Sequence, residues 1–230
     1  MIFHSVRKKP PDNLNEIKID DITISRVETF KYLGLHLDET LSWKHHVIEL
    51  CKDLTKFFGI FKKLRDSITQ QIAKQLYFAF IFSRINTGIQ VYGSCTGYLK
   101  SKIQTLSGQL LKYILKLDPQ TPTDDLDKMF KSLNILKIDD LIKVNVLFLV
   151  KKFLFKECPD LFNDYYEYRT HEHFSRDRKL CIPRSNTVFG STSLKIKGAS
   201  LWNNLDKELK QKANLKCFKK HLTISYTSRY

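Results

Sequence analysis

Seven apolar residues, Trp43, Val47, Leu50, Leu54, Phe57, Phe61 and Leu64, recur at intervals of 4, 3, 4, 3, 4 and 3. That rhythm is the period of an α-helix viewed from one side, so the spacing predicts a helix that buries a continuous stripe. Ser42 stands just ahead of it as a cap, and Lys62, Lys63 and Arg65 fall in its last turns, where the helix dipole favours cations. Lys44, Lys52 and Lys56 lie off the stripe and face outward. Three heptads with this many aromatic residues fit a helical bundle better than a coiled-coil seam.

Before this helix the period is two. Glu16-Ile17-Lys18-Ile19 and Ile22-Thr23-Ile24-Ser25 alternate polar with apolar, and Asp20-Asp21 between them suits a tight hairpin. Phe30-Lys31-Tyr32-Leu33 runs into Gly34 and then Leu35-His36-Leu37, a strand pattern bent at its glycine. After the helix, Thr69 opens a second one through Ile72, Leu76, Tyr77, Phe80 and Ile81, expected to be buried on most sides. A third runs from about Tyr98 to Leu117, with Ile103, Leu106, Leu110, Tyr113, Ile114 and Leu117 on one side. A short helix follows Thr123, and a long one rich in Leu, Val and Phe spans about Ile138 to Lys156. Tyr168 to Lys197 reads as an extended basic loop, and helices near Gly198–Leu205 and Asn214–Thr223 close the chain. The fold class expected is mainly α with a small N-terminal antiparallel β part (α+β). Three parts follow from it: β-hairpins over 1–42, a helical bundle over 43–117, and a basic helical region over 118–230.

Charge narrows the partners. The chain carries 39 Lys+Arg against 24 Asp+Glu, a net of +15. The excess is concentrated: residues 169–230 hold 14 basic and 4 acidic residues, while residues 1–168 hold 25 and 20. A tail of that kind repels itself unless a polyanion is near, which points to nucleic acid, the plainer alternative being a solvated basic surface that aids solubility. No compact basic run flanks an apolar anchor, as a membrane-surface site would require. The longest stretch without charge, Ile85 to Leu99, is broken by Asn86, Gly88, Gln90, Gly93 and Gly97, and falls short of the roughly 20 apolar residues a spanning helix needs. His4 and Arg7-Lys8-Lys9 interrupt any secretory pattern, and five cysteines without a CxxC pair fit a reduced compartment. The expected location is intracellular, in nucleus or cytoplasm, with no membrane partner.

Sites of self-sufficient chemistry are not found. The pairs Asp20-Asp21, Asp124-Asp125 and Asp139-Asp140 sit where turns or helix starts are predicted, which explains them as turn and cap residues. His171, His173 and Cys181 match no common zinc spacing. There is no GxSxG elbow and no P-loop.

Several longer words carry a resemblance. Val27-Glu28-Thr29-Phe30-Lys31-Tyr32-Leu33-Gly34-Leu35-His36-Leu37-Asp38, followed by Leu41-Ser42-Trp43-Lys44-His45-His46, resembles the segment after the catalytic strands in reverse transcriptases of non-LTR retrotransposons, the jockey-like long interspersed elements. Ser83-Arg84-Ile85-Asn86-Thr87-Gly88-Ile89-Gln90-Val91-Tyr92-Gly93 is similar to a later word of that family. So are Leu133-Asn134-Ile135-Leu136-Lys137-Ile138 and Gly198-Ala199-Ser200-Leu201-Trp202-Asn203-Asn204-Leu205, in the family's order. The resemblance implies the end of the palm with a primer-grip turn at Phe30, Lys31, Tyr32, Leu33 and Gly34. It also implies a thumb from Trp43 onward that tracks a template–primer duplex, and a post-thumb region.

The family's aromatic-x-Asp-Asp turn is absent, since Lys18, Pro122 and Lys137 stand two positions ahead of the three Asp pairs. The Mg²⁺ of polymerisation would therefore belong to a palm outside this sequence, and no cofactor is expected here. A thumb follows a duplex through phosphate contacts, a demand that Lys52, Lys56, Lys62, Lys63 and Arg65 meet on one helix. The expected function is that of a C-terminal reverse-transcriptase fragment that binds RNA or an RNA–DNA duplex without polymerising. The alternative is a domesticated or decaying remnant acting as a non-enzymatic helical interaction module. Its apolar Leu141–Phe155 segment would bind a palm or fingers segment, or a second copy.

Overall fold

The computed structural model describes residues 1–8, 10, 17–20, 22–64, 66–118, 120, 122–169, 179–212 and 214–230. The fold is mainly α, with two small antiparallel sheets at the N-terminus. It divides into two compact units, Met1–Gly88 with Cys95–Pro119, and Ile89–Ser94 with Gln120–Tyr230.

The first unit begins with two hairpins. Strands β1 (Ile17–Ile19) and β2 (Ile22–Ile24) pair so that Ile17 faces Ile24 and Ile19 faces Ile22. Strands β3 (Thr29–Tyr32) and β4 (Leu35–Asp38) pair Phe30 with Leu37, Lys31 with His36 and Tyr32 with Leu35. Between them Leu33 and Gly34 both take positive φ, +46° and +84°. That is the signature of a two-residue turn whose twist matches the strands it joins. The glycine therefore reverses the chain instead of merely bending a single strand.

Helix α1 (Lys44–Leu64) buries Val47, Leu50, Leu54, Phe57 and Phe61, together with Trp43 just before it. The stripe lies along α5 (Gly97–Ile114), which buries Leu99, Ile103, Leu110, Leu111 and Ile114. Leu106, Tyr113 and Leu117 are only half-buried, so the covered side of α5 is turned relative to expectation. Ser107 lies in the middle of that covered side, where its hydroxyl meets the buried Tyr77 hydroxyl at 3.0 Å.

The segment carrying Tyr77 corrects a second expectation. Thr69 caps α2 (Gln70–Leu76) by accepting the Ile72 N–H, but the backbone then widens into a π-turn over Tyr77–Phe82 before α3 (Ser83–Asn86). The run is not buried on most sides: Tyr77 and Ile81 are buried, while Phe80 is 40% exposed. Ala73, Tyr77, Ile81 and Ile85 are the buried residues, spaced by four. On an α-helix of 3.6 residues per turn such a stripe drifts by about 40° at each step. The wider π-turn takes up that drift and keeps the four side chains on one face.

The second unit is built on α7 (Ile138–Leu154). It buries Leu141, Ile142, Val144, Val146, Leu147, Val150 and Phe153 against α4 (Ile89–Tyr92), α9 (Leu194–Asn203) and α11 (Leu215–Thr227). Most of the apolar segment 141–155 is thus covered within its own unit, while Phe155 is 47% exposed. Ahead of α7 lies α6 (Thr123–Ser132). Two short helices, α8 (Val188–Ser191) and α10 (Lys207–Lys210), flank α9.

Helix α8 and the first turn of α9 fall inside the span read as a loop, most of whose remaining middle, 170–178, lies outside the described residues. The chain on either side is held in place. Tyr168 bridges to Leu180, and the Asn203 side chain bonds both the N–H and the C=O of Leu180, at 2.7 and 2.9 Å. Gly198 lets α9 approach closely: a Cβ there would collide with the Tyr166 hydroxyl and stand 2.8 Å from Val150. Lys151 is fully buried on α7, its ammonium donating to the carbonyls of Lys210 and Lys212 and lying 4.1 Å over the Phe218 ring. Burial pulls its pKa down to about 8.

The Tyr77–Ser107 pair yields a stability prediction. Ser107→Ala leaves a buried phenol unsatisfied and is expected to cost about 1–3 kcal/mol in urea unfolding, whereas adding Tyr77→Phe to it recovers part of the loss.

Candidate nucleic-acid interface

Of the five residues for which the resemblance implies a primer-grip turn, Phe30, Lys31 and Tyr32 lie in β3 and Leu33 and Gly34 form the tip of the β3–β4 hairpin. Phe30, Tyr32 and Leu33 are 54%, 58% and 81% exposed, and Lys31 is exposed between them. Register places Phe30 and Tyr32 on one face with Leu35 and Leu37, and Lys31 on the other with His36. Two sets of contacts brace this hairpin. At its base, the Asp38 carboxylate accepts the N–H groups of Thr40, Ser42 and Trp43 and the hydroxyls of Thr40 and Ser42, all within 2.7–3.1 Å. Burial works to raise the Asp38 pKa, but these bonds outweigh it and hold the carboxyl below its usual range. They also secure a turn in which Leu41 and Trp43 take positive φ, and from it Ser42 Oγ accepts the Lys44 N–H at 3.3 Å to start α1. On the flank, Gly88 at φ +68° leaves room for Leu35, whose δ-carbons would stand 2.8 Å from any added Cβ.

Between the Lys31 face, α1 and α3 lies a cleft of about 160 Å³. His36, His46, Glu49, Asp53 and Arg84 line it with Lys31. Arg84 stacks its guanidinium 4.7 Å over the Phe57 ring and donates to the Phe80 carbonyl at 3.1 Å. The Asp53 carboxyl is held low chiefly by its hydrogen bond from Lys56, with Arg84 and Lys31 adding positive field. Three histidines meet at the hairpin–helix junction: His36 lies 5.1 Å from His45 and 6.2 Å from His46, ring to ring. The His36 N–H donates to His46 Nδ1 at 3.4 Å, which fits a neutral His46. Burial first, then His36 and His45, lowers the His46 pKa to about 4. His36 is lowered too, by burial and by His45 and Lys31, while Glu49 and Asp53 pull the other way.

The helix lysines divide into two groups. Lys52 bonds Glu49 and Lys56 bonds Asp53, each at 2.6 Å, so both are engaged one turn back along α1. Such exposed pairs are worth at most about 1 kcal/mol, and a phosphate can replace the carboxylate. Lys62 and Lys63 are exposed at the C-terminal end, with no ion pair among the described residues. Arg65 lies outside the described residues.

Sequence reasoning missed three residues: Arg84, Asp38 and His36. All three stand inside the words quoted above, but their placement depends on contacts across the fold. Among the described residues no three His, Cys, Asp or Glu side chains are placed to hold a metal ion, and His171 and His173 lie outside them. Asp20 sits in the β1–β2 turn, Asp125 pairs with Lys128, and Asp140 pairs with Lys143 in the first turn of α7. Asp21 and the side chain of Asp124 lie outside the described residues. All five cysteines are free thiols, and no helix of the described residues is long and apolar enough to cross a membrane. Compared with family models, curated proteins and solved structures, the chain matches none.

The junction gives a pH prediction. With its folded pKa below the unfolded 6.5, His46 leaves stability intact above that pH, and stability is lost as pH falls from 6.5 toward 4. Urea midpoints followed by Trp43 fluorescence, with Trp202→Phe to silence the other unit, are expected to drop across that window. His46→Gln is expected to flatten the drop.

Proposed function

We propose that this chain binds template–primer nucleic acid as the thumb-like and post-thumb part of a reverse-transcriptase-like protein, positioning a duplex without joining nucleotides itself. The observation that carries the reading is the braced β3–β4 hairpin, whose exposed Phe30, Tyr32 and Leu33 stand beside Lys31 at the head of a basic helix. The residues of the most specific family-like word coincide with one structural piece: hairpin, Asp38 turn and the start of α1. Exposed aromatics suit stacking on bases or sugars, and the lysines suit sequence-independent phosphate contact.

Fluorescence anisotropy on a labelled RNA–DNA duplex tests this. Micromolar or tighter binding at 0.15 M salt is expected, weakening steeply as salt rises. Lys31→Glu with Tyr32→Ala should lower affinity at least tenfold. Absence of binding overturns the reading, and Mg²⁺-dependent primer extension by the purified chain overturns its non-catalytic part.

A second reading, a non-enzymatic interaction module, draws on another surface. Ile17, Ile19, Ile22 and Ile24 are all exposed on one face of the β1–β2 hairpin, an apolar patch that favours protein contact. Concentration-dependent self-association abolished by Ile19→Lys, in a protein that ignores nucleic acid, would favour it.

A further inference from the structure

Helices α7 and α11 run antiparallel, since Lys152 and Lys219 meet at Phe148, Lys143 meets Tyr226, and Lys137 meets Tyr230. Cations thus sit over three rings along one seam. At two of these places acid is at hand: Asp140 bonds Lys143 at 2.9 Å and accepts from the Tyr230 hydroxyl at 3.1 Å, and Asp127 bonds Lys137 at 2.7 Å. The third is different. Lys152 Nζ lies 5.3 Å and Lys219 Nζ 5.0 Å from the same Phe148 ring, and no carboxylate pairs with either among the described residues.

Helix α11 repeats this imbalance along its length. It carries Lys216, Lys219 and Lys220 and no acidic residue. Asp206 and Glu208 approach the helix on its other flank, beside His221, Ile224 and Ser225. Compared with α1, where Lys52 and Lys56 each have an acid one turn away, Lys216, Lys219 and Lys220 of α11 form no ion pair among the described residues. Two half-buried ammonium groups over one ring repel each other. Burial first, then Lys152, lowers the Lys219 pKa. An anion held near both relieves that repulsion.

We propose that Lys152 and Lys219, continued by Lys216 and Lys220, form a phosphate-binding strip in the second unit that holds the backbone of a nucleic-acid strand. The identity of the polyanion rests on the function proposed above; the strip itself is a separate surface in a separate unit. Lys216 to Lys220 span about 6 Å of α11, which with Lys152 leaves room for about two phosphates of one strand. Phosphate contact through lysines beside an aromatic ring gives affinity without base reading.

Titration of the full chain with a labelled 20-nucleotide RNA, at salt from 0.05 to 0.3 M, tests the proposal. Losing two phosphate contacts in Lys152→Gln/Lys219→Gln should reduce the slope of log K against log salt by about 1.4 and weaken binding about tenfold at 0.15 M. An unchanged slope and affinity, in a variant with unchanged circular dichroism, overturns the strip while leaving the function proposed above standing. Failure of the wild-type chain to bind any nucleic acid overturns that function and the polyanion assigned here together. Should the variant not fold, amine acylation of the wild-type chain with mass-spectrometric readout decides. Protection of Lys152 and Lys219 by RNA supports the strip, and equal labelling with and without RNA overturns it. Protection by phosphatidylserine vesicles but not by RNA also overturns it, in favour of a lipid headgroup.

Discussion

One carboxylate holds the hairpin end of the first unit together. Asp38 ends β4 and gathers five donors from Thr40, Ser42 and Trp43, so a tight turn with two left-handed residues becomes a fixed corner. That corner sets the direction in which α1 leaves the hairpin and seats Trp43 in the core. It also brings His36 against His46 and opens the cleft beneath Lys31. Hydrogen bonds to an ionised acceptor are about twice as strong as neutral ones, which suits a corner built of backbone donors. Without that carboxylate, the hairpin tip would hang from an unsupported turn.

Much of this architecture is legible in periodicity. The 4-3-4-3 stripe predicts α1 almost to its ends, because burial of one face is decided by spacing alone. The alternating isoleucines likewise predict β1 and β2, although they end up exposed instead of covered. What periodicity misses are features decided by contacts distant in sequence. Ser107 looks like an interruption of α5 until Tyr77 is found opposite. The π-turn appears in sequence only as a period of four, which reads as an ordinary helix with too many apolar residues. Helix α8 is a single turn, and the start of α9 is interrupted by Lys195 and Lys197, while the support of α9 comes from Tyr166, Val150 and Asn203.

The candidate interface shows the same division. Composition locates the positive charge, but only geometry tells which lysines are compensated. On α1 the acids at i−3 are visible in the sequence, yet their meaning changes when both pairs close at 2.6 Å. On α11 the absence of acid is equally visible, while the setting of Lys219 emerges only when Lys152 arrives from another helix to share Phe148. Net charge is a long-range property that draws a polyanion in; local pairing then decides where it rests.

The widened turn at Tyr77–Phe82 has a further consequence for how this protein can change. It amounts to one surplus residue in an otherwise regular rod, and trimming that residue would make the rod more regular while spoiling its aim. Everything downstream would swing by about 100°. Arg84 would leave the Phe57 ring and Gly88 would turn away from Leu35, so an edit that improves helical regularity would dismantle the cleft. Length within this helix is therefore a constraint separate from chemistry: its residues tolerate replacement more readily than removal.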